Sequence, residues 1–271
     1  TLIQEFQFSN FNKSPHQGLS MQKHAQVSVF LITVAVLLIA AGFLSINSNQ
    51  KNKSKNYADT DQLTLDPVSN LVETCIRDTL SDGIFHISMQ GGYYHPPDSQ
   101  QYLEYDVPFY LNNEQFKVPT TNTIEDELAL YMQENLAQCI DDFESLQGFD
   151  IRQSQASLKP IIGENEISVL AVYPLEIHQG DSTKSIEQFS VSIPFDFKEV
   201  YSIVQQLMVQ QGEDTLAVHY GALAQSAYEH DYYFEIIQVD EQTVIYSLRF
   251  DSKSADGQPY VFNFAARYAW E

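Results

Sequence analysis

The sequence predicts an α+β protein: a single N-terminal transmembrane helix, then an extracellular domain with helices packed on an antiparallel sheet. Three observations predict it. Residues 26–46, QVSVFLITVAVLLIAAGFLSI, run without a charged side chain. Two later stretches repeat apolar residues every three or four positions, as one buried helix face requires. Beyond residue 166 the period falls to two, the mark of strands with one buried face.

The apolar run sets the organisation. As a helix, Val27–Ile46 is about 30 Å long, the thickness of a hydrocarbon core. Lipid offers no partner to an open backbone amide, so the segment spans as a helix. A buried helix of a soluble domain usually keeps a polar edge, and this run has none. It is too long for a typical secretion signal, and no Ala-x-Ala site closes it. Lys23-His24-Ala25-Gln26 precedes it, as in pilin-type precursors cut just ahead of their hydrophobic helix. Ala40, Ala41 and Gly42 form a small-residue patch suited to packing against a partner helix.

Five segments follow. Residues 1–25 are a polar N-terminal segment and 26–46 the transmembrane or pilin-like helix. Residues 47–66 are a polar, basic linker. Residues 67–155 are a helical subdomain with both cysteines, and 156–271 an antiparallel α+β subdomain. In the linker, Asn52-Lys53-Ser54 fits an N-glycosylation acceptor at Asn52.

Charge is divided unevenly. Residues 1–56 hold one acid and five bases, whereas 57–271 hold 35 acids and nine bases; the whole chain is at −22. Such a field repels nucleic acid, and no nucleic-acid partner is expected. Most of the 16 Tyr and 17 Phe lie in the acidic part, so it is folded rather than a disordered tail. The basic flanks alone slightly favour the linker side inside: Lys51, Lys53 and Lys55 against Lys13 and Lys23. The acidic field and the cysteines outweigh this and place the large domain outside.

Val68–Met89 reads as a helix, with Leu71, Val72, Cys75, Ile76, Thr79 and Leu80 on one face. Asp66 is placed to cap it, with Pro67 in the first turn, and Gly91-Gly92 ends it. Thr123–Leu146 reads as a second helix with Leu128, Met132, Leu136, Cys139 and Phe143 inward. Thr123 with Asp126 resembles a capping box. Cys75 and Cys139, both on apolar faces, are compatible with one disulfide in an oxidising exterior or with two buried thiols.

EISVLAVYPLEI (166–177) and IEQFSVSI (186–193) alternate around a turn containing Gly180-Asp181, a hairpin signal. Phe197–Gln211 reads as a third helix. Residues 217–230 are ambiguous, with helix preferred. Residues 232–239, 243–250 and 260–270 read as strands, making five in all.

Chemistry-bearing patterns are sparse. No HxH, HExxH, CxxC, G-x-S-x-G or phosphate-loop spacing occurs, so no catalytic residue, metal or cofactor is expected. The candidate contact loop is Gly91, Gly92, Tyr93, Tyr94, His95, Pro96 and Pro97: a glycine turn followed by a rigid aromatic patch, which either meets a partner or folds back on the core.

Taken in order, QVSVFLITVAVLLIAAGF, LVETCIRDTLSDGIFHISMQGGYY, VPFYL, IEDELALYMQENLAQCIDDF and ENEISVLAVYPLEI resemble an uncharacterised family of archaeal single-pass membrane proteins. The resemblance spans about residues 24–205. It implies a pilin-like hydrophobic start and a bond between Cys75 and Cys139, and carries no activity. The function expected is a membrane-anchored cell-surface structural or interaction protein, of which a pilin-like filament or envelope subunit is one form. Its partners would be the bilayer or hydrophobic helices of like subunits, other proteins, or copies of itself. The alternatives are a sensor or accessory subunit of a membrane complex, and a metal-assisted ectohydrolase.

Overall fold

The first long helix, α1 (Asp66–Met89), buries Val68, Val72, Cys75, Ile76, Leu80, Ile84 and Ile87, one continuous stripe at helical spacing. The structure is a computed structural model and describes residues 64–112, 114–213, 215–253 and 259–270. The hydrophobic segment 26–46 and Asn52 lie outside the described residues. Among those described, no helix is long and apolar enough to cross a membrane. Leu65, not Asp66, is the N-cap of α1, and no side chain caps it. Asp66 stands one step inside, where its charge faces the positive helix end.

Three strands follow: β1 (Ser99–Tyr102), β2 (Tyr105–Asn112) and β3 (Gln115–Phe116). Helix α2 (Thr121–Ile140) starts earlier than Thr123 because Thr120 is the cap: its Oγ1 accepts from the Thr123 N–H at 3.1 Å. Glu125, Asp126 and Glu127 consequently fall beyond the first turn. The helix also ends before Leu146. Asp141, Asp142 and Phe143 all take positive φ, of 47°, 47° and 61°, which no α-helix continues through. Its buried row is Ile124, Leu128, Met132, Leu136 and Ile140, every fourth residue.

The remaining elements are β4 (Asp150–Gln153), β5 (Ser157–Ile162), β6 (Glu166–Gln179), β7 (Ser182–Pro194), α3 (Phe197–Gln211), α4 (Tyr220–His230), β8 (Tyr233–Gln238), β9 (Thr243–Phe250) and β10 (Tyr260–Arg267). The class is α+β; the described residues form four α-helices and ten strands in two sheets, in place of the five-stranded sheet expected. The first sheet runs β1-β2-β10-β9-β8, with β3 also on β2. It is mixed rather than antiparallel, because β2 and β10 pair in parallel. In the second sheet β6 is central, with β7 along one edge and β4 and β5 sharing the other. The predicted hairpin is present: Gln179 pairs with Ser182 across Gly180-Asp181, and Gly180 takes φ +58°.

Residues 62–271 form one compact unit. Helix α1 packs on α2, β7 and β10, and α2 packs on β5, so the helix pair touches both sheets. The shared core joins the α1 stripe to Val169, Val191, Val204, Phe262 and Phe264. Burying each such side chain stabilises the fold by about 1.5–3 kcal/mol. A second, smaller cluster of Val107, Phe109, Ile245 and Ala265 occupies the other face of the first sheet. Arg77 donates from Nη1 to the Ser192 carbonyl at 2.9 Å, occupying part of the outer edge of β7.

Candidate functional site

Two predicted features meet on the α1–α2 pair: the cysteines and the glycine–aromatic loop. Cys75 and Cys139 form a disulfide, with Cα atoms 5.5 Å apart and 64 residues between them in sequence. Its two ends are in different surroundings. Cys75 is 1% exposed, whereas Cys139 is exposed rather than on the apolar face expected. The buried row of α2 passes through Ile140, and one residue of helix turns a side chain by about 100°. The bond therefore lies at the rim of the helix seam.

The loop begins where α1 ends. The Gly92 N–H donates to the Ile87 carbonyl at 2.6 Å. Gly91 and Gly92 take φ of +53° and +80°. A Cβ on Gly91 would lie 2.6 Å from Pro108 Cγ and 2.8 Å from the Asn263 carbonyl; one on Gly92 would meet Ile124 at 2.9 Å. Both conformation and space demand glycine here. The buried Tyr110 hydroxyl donates to the Gly91 carbonyl at 2.8 Å.

Beyond the glycines the chain is clamped by side chains. Gln90, nearly buried, donates from Nε2 to the Tyr94 carbonyl at 2.9 Å and accepts from the Asp106 N–H at 3.1 Å. One Glu127 carboxylate oxygen accepts the N–H groups of Tyr94 and His95, at 2.8 and 2.9 Å. These are charge-assisted bonds, stronger than neutral ones. The Tyr94 hydroxyl donates to Glu134 at 2.8 Å, and this bond, with lesser burial, raises its pKa. Behind the clamp, Asp98 accepts from Lys117 at 2.7 Å and Asn112 at 2.9 Å, and the lysine bond holds its carboxyl below the usual range.

Under the loop lies an aromatic cluster. The His86 ring has Tyr131 at 5.2 Å, Tyr94 at 5.6 Å and Tyr105 at 5.8 Å between centroids. Burial, then the charge of His95, pushes the His86 pKa down. Burial raises those of Tyr93, Tyr105 and Tyr131. The loop thus folds back on the helices and also presents an outer surface. Gly91 and Gly92 are buried, Tyr93, Tyr94 and Pro96 half-buried, and His95 and Pro97 exposed.

The turn joining β1 to β2 carries a feature the sequence does not signal. Leu103 is 72% exposed and takes φ +55°. A left-handed non-glycine residue costs about 1–3 kcal/mol.

The other polar constellation is a cleft of about 520 Å³ lined by Glu164, Asp196, Lys198, Glu199, Ser202 and His230. Its carboxylates are paired: Lys198 meets Glu164 at 2.6 Å, and Lys253 meets Asp196 at 3.4 Å and also Glu199. Among the described residues, no group of three or more His, Cys, Asp or Glu is placed to hold a metal ion. No family model, no curated protein and no solved structure matches the chain.

Proposed function

We propose that the chain is a membrane-anchored surface protein with a structural or interaction role, and that the loop Gly91–Pro97 is its contact surface. The observation that carries the reading is the disulfide between Cys75 and Cys139. Such bonds persist in oxidising surroundings and are rare in a reducing cytosol. The uncharged run 26–46 supplies the tether, and the excess of 35 acids over nine bases from residue 57 onward keeps the tethered body solvated. The loop supports a contact role because it is rigid, aromatic and held from behind, so a partner meets it with little ordering cost.

The test is isolation from native membranes, with protease accessibility on intact cells, non-reducing mass spectrometry and electron microscopy. The expected result is a protease-sensitive body outside the cell with the cysteine pair bonded. Filaments in the micrographs would make it a polymer subunit. A protected cytosolic body with both thiols reduced overturns the proposal.

A further inference from the structure

Thr215–Tyr228 contains no Asp, Glu, Lys or Arg, in a chain with 36 acids and 14 bases. Val200–Gly212 contains none either. The structure packs these two stretches together as α3 and α4. Their outer surface is uncharged and sets large apolar side chains among exposed amides: Val209 is 65% exposed, Leu216 64%, Tyr220 59% and Tyr228 90%, beside exposed Gln205, Gln206, Gln210 and Gln225. Phe116 of β3, 52% exposed, extends it, lying so close to Gly212 that a Cβ there would run into its ring.

Helix α4 is held to the body by one side. Its only fully buried residue is Leu223, while Tyr220, Ala224 and Tyr228, spaced by four, form a stripe of exposed residues with exposed Gly221 and Gln225 beside it. A Cβ on Gly221 would meet nothing within 4 Å. Charge returns at the rim, with exposed Glu213, with exposed Glu114 and Lys117 beside Phe116, and with Glu229, which accepts from Gln225 at 2.9 Å. An aromatic centre without charge and a polar rim is the composition of an interface.

We propose that this neutral face is where two copies of the chain associate, with α4 antiparallel to its copy about a two-fold axis at Ala224. Charge selects the partner. Each chain carries −22, so two copies repel over most of their surface and approach most easily where neither presents charge. A cationic partner would be drawn to the acidic surface instead. Spacing fits the two-fold. Tyr220 and Tyr228 stand four residues either side of Ala224, so an antiparallel copy sets each Tyr220 against the opposing Tyr228. Gly221 and Ala224 let the two backbones approach.

A helix of 11 residues is about 16 Å long, so the contact is small and weak in free solution. Confinement on one membrane raises the effective concentration and strengthens it. The inference deepens the surface-protein reading by naming the partner, and rests on that reading for the tether.

The test uses the full chain in its native membrane. Both natural cysteines are bonded to each other, so Ala224→Cys introduces the one free thiol. Under mild oxidation it should form a reductant-sensitive dimer about tenfold faster than Glu187→Cys on exposed β7. Adding Tyr228→Glu, at a side chain with almost no contacts to lose, should abolish that advantage. Equal rates at the two positions, or a rate indifferent to Tyr228→Glu, overturns the proposal. Protease accessibility on the same cells judges the surface reading separately. An outward-facing body without dimer sinks the self-association alone, and a cytosolic body sinks the reading beneath it.

Discussion

The rings of His86 and Tyr131 lie with centroids 5.2 Å apart and planes 30° apart, a stack joining α1 to α2 beneath the Gly91–Pro97 loop. The His86 Nε2 faces the Gln90 amide nitrogen at 3.4 Å. That nitrogen is a donor only, with its two hydrogens directed at the Tyr93 and Tyr94 carbonyls, so a protonated Nε2 would find no acceptor there.

A pH dependence follows with a definite sign. The folded pKa of His86 is lowered by burial and by His95, so the unfolded chain binds the proton more readily. The contribution is full above the ordinary histidine value of about 6.5 and is lost as pH falls from there towards the folded value. Glu127 and Glu134 are the acids bonded to the loop. Thermal unfolding from pH 8 down to pH 5, about the histidine range, should show falling stability in the native chain. His86→Phe, which keeps a ring in the stack, should flatten that part of the slope. An unchanged slope removes His86 as its source.

The disulfide gives a second expectation. Closing a 64-residue loop stabilises by about 4 kcal/mol, chiefly by restricting the unfolded chain. Cys139→Ala removes the bond at an exposed site and should cost about that much in a denaturant titration. Cys75→Ser should cost more, by about 1–3 kcal/mol, because it leaves a hydroxyl in the apolar seam. Equal losses would show that the seam relaxes enough to solvate the serine.

The glycine turn gives a third. Gly91→Ala must accept both positive φ and a Cβ 2.6 Å from Pro108, so it should destabilise by roughly 2–5 kcal/mol. Gly180→Ala has the same φ problem in open space and should cost only about 1 kcal/mol. Hydrogen exchange should then show the amides of Tyr94 and His95 opening in Gly91→Ala and staying protected in Gly180→Ala.

These sites show what the sequence could and could not disclose. Helix α1, α3 and the β6–β7 hairpin were legible because one face of each is buried, which imprints a period. Strand β2 was not, since Val107, Pro108, Phe109, Tyr110 and Leu111 are all buried and erase the alternation. Its parallel partner β10 lies some 150 residues on, beyond any local signal. Strand β5 alternates but carries Pro160, a residue that interior strands avoid; it is tolerated because β5 lies at an edge, where a proline need donate to no second neighbour. Within the candidate site, the glycines announced a sharp turn. The Glu127 clamp joins residues 32 and 33 positions apart, and Leu103 carries none of the residue types that mark a left-handed turn.

A fourth expectation concerns alkali and the buried end of α3. The Gln211 side-chain oxygen accepts from the His219 N–H at 3.0 Å and lies 3.0 Å from the Tyr268 hydroxyl and 3.2 Å from the Tyr246 hydroxyl; with one proton each, one tyrosine donates to Gln211 and the other to its neighbour's oxygen. Burial pushes the Tyr268 and Tyr201 pKa values up to about 12, and raises those of Tyr110, Tyr246 and Tyr260 well above the ordinary phenol value. A raised folded pKa contributes stability that is full below the unfolded value of about 10 and lost as pH rises through the folded one. The chain should therefore unfold cooperatively above about pH 10, with these phenols ionising together in the unfolding step rather than singly. Ultraviolet titration of tyrosinate beside circular dichroism checks it. Tyr268→Phe removes one of the buried ionisations but also a hydroxyl bonded within the Gln211 cluster, so it should lower stability at neutral pH while making its decline in alkali shallower. A Tyr268→Phe chain with the native alkaline slope would show that this hydroxyl is not among the groups driving the transition.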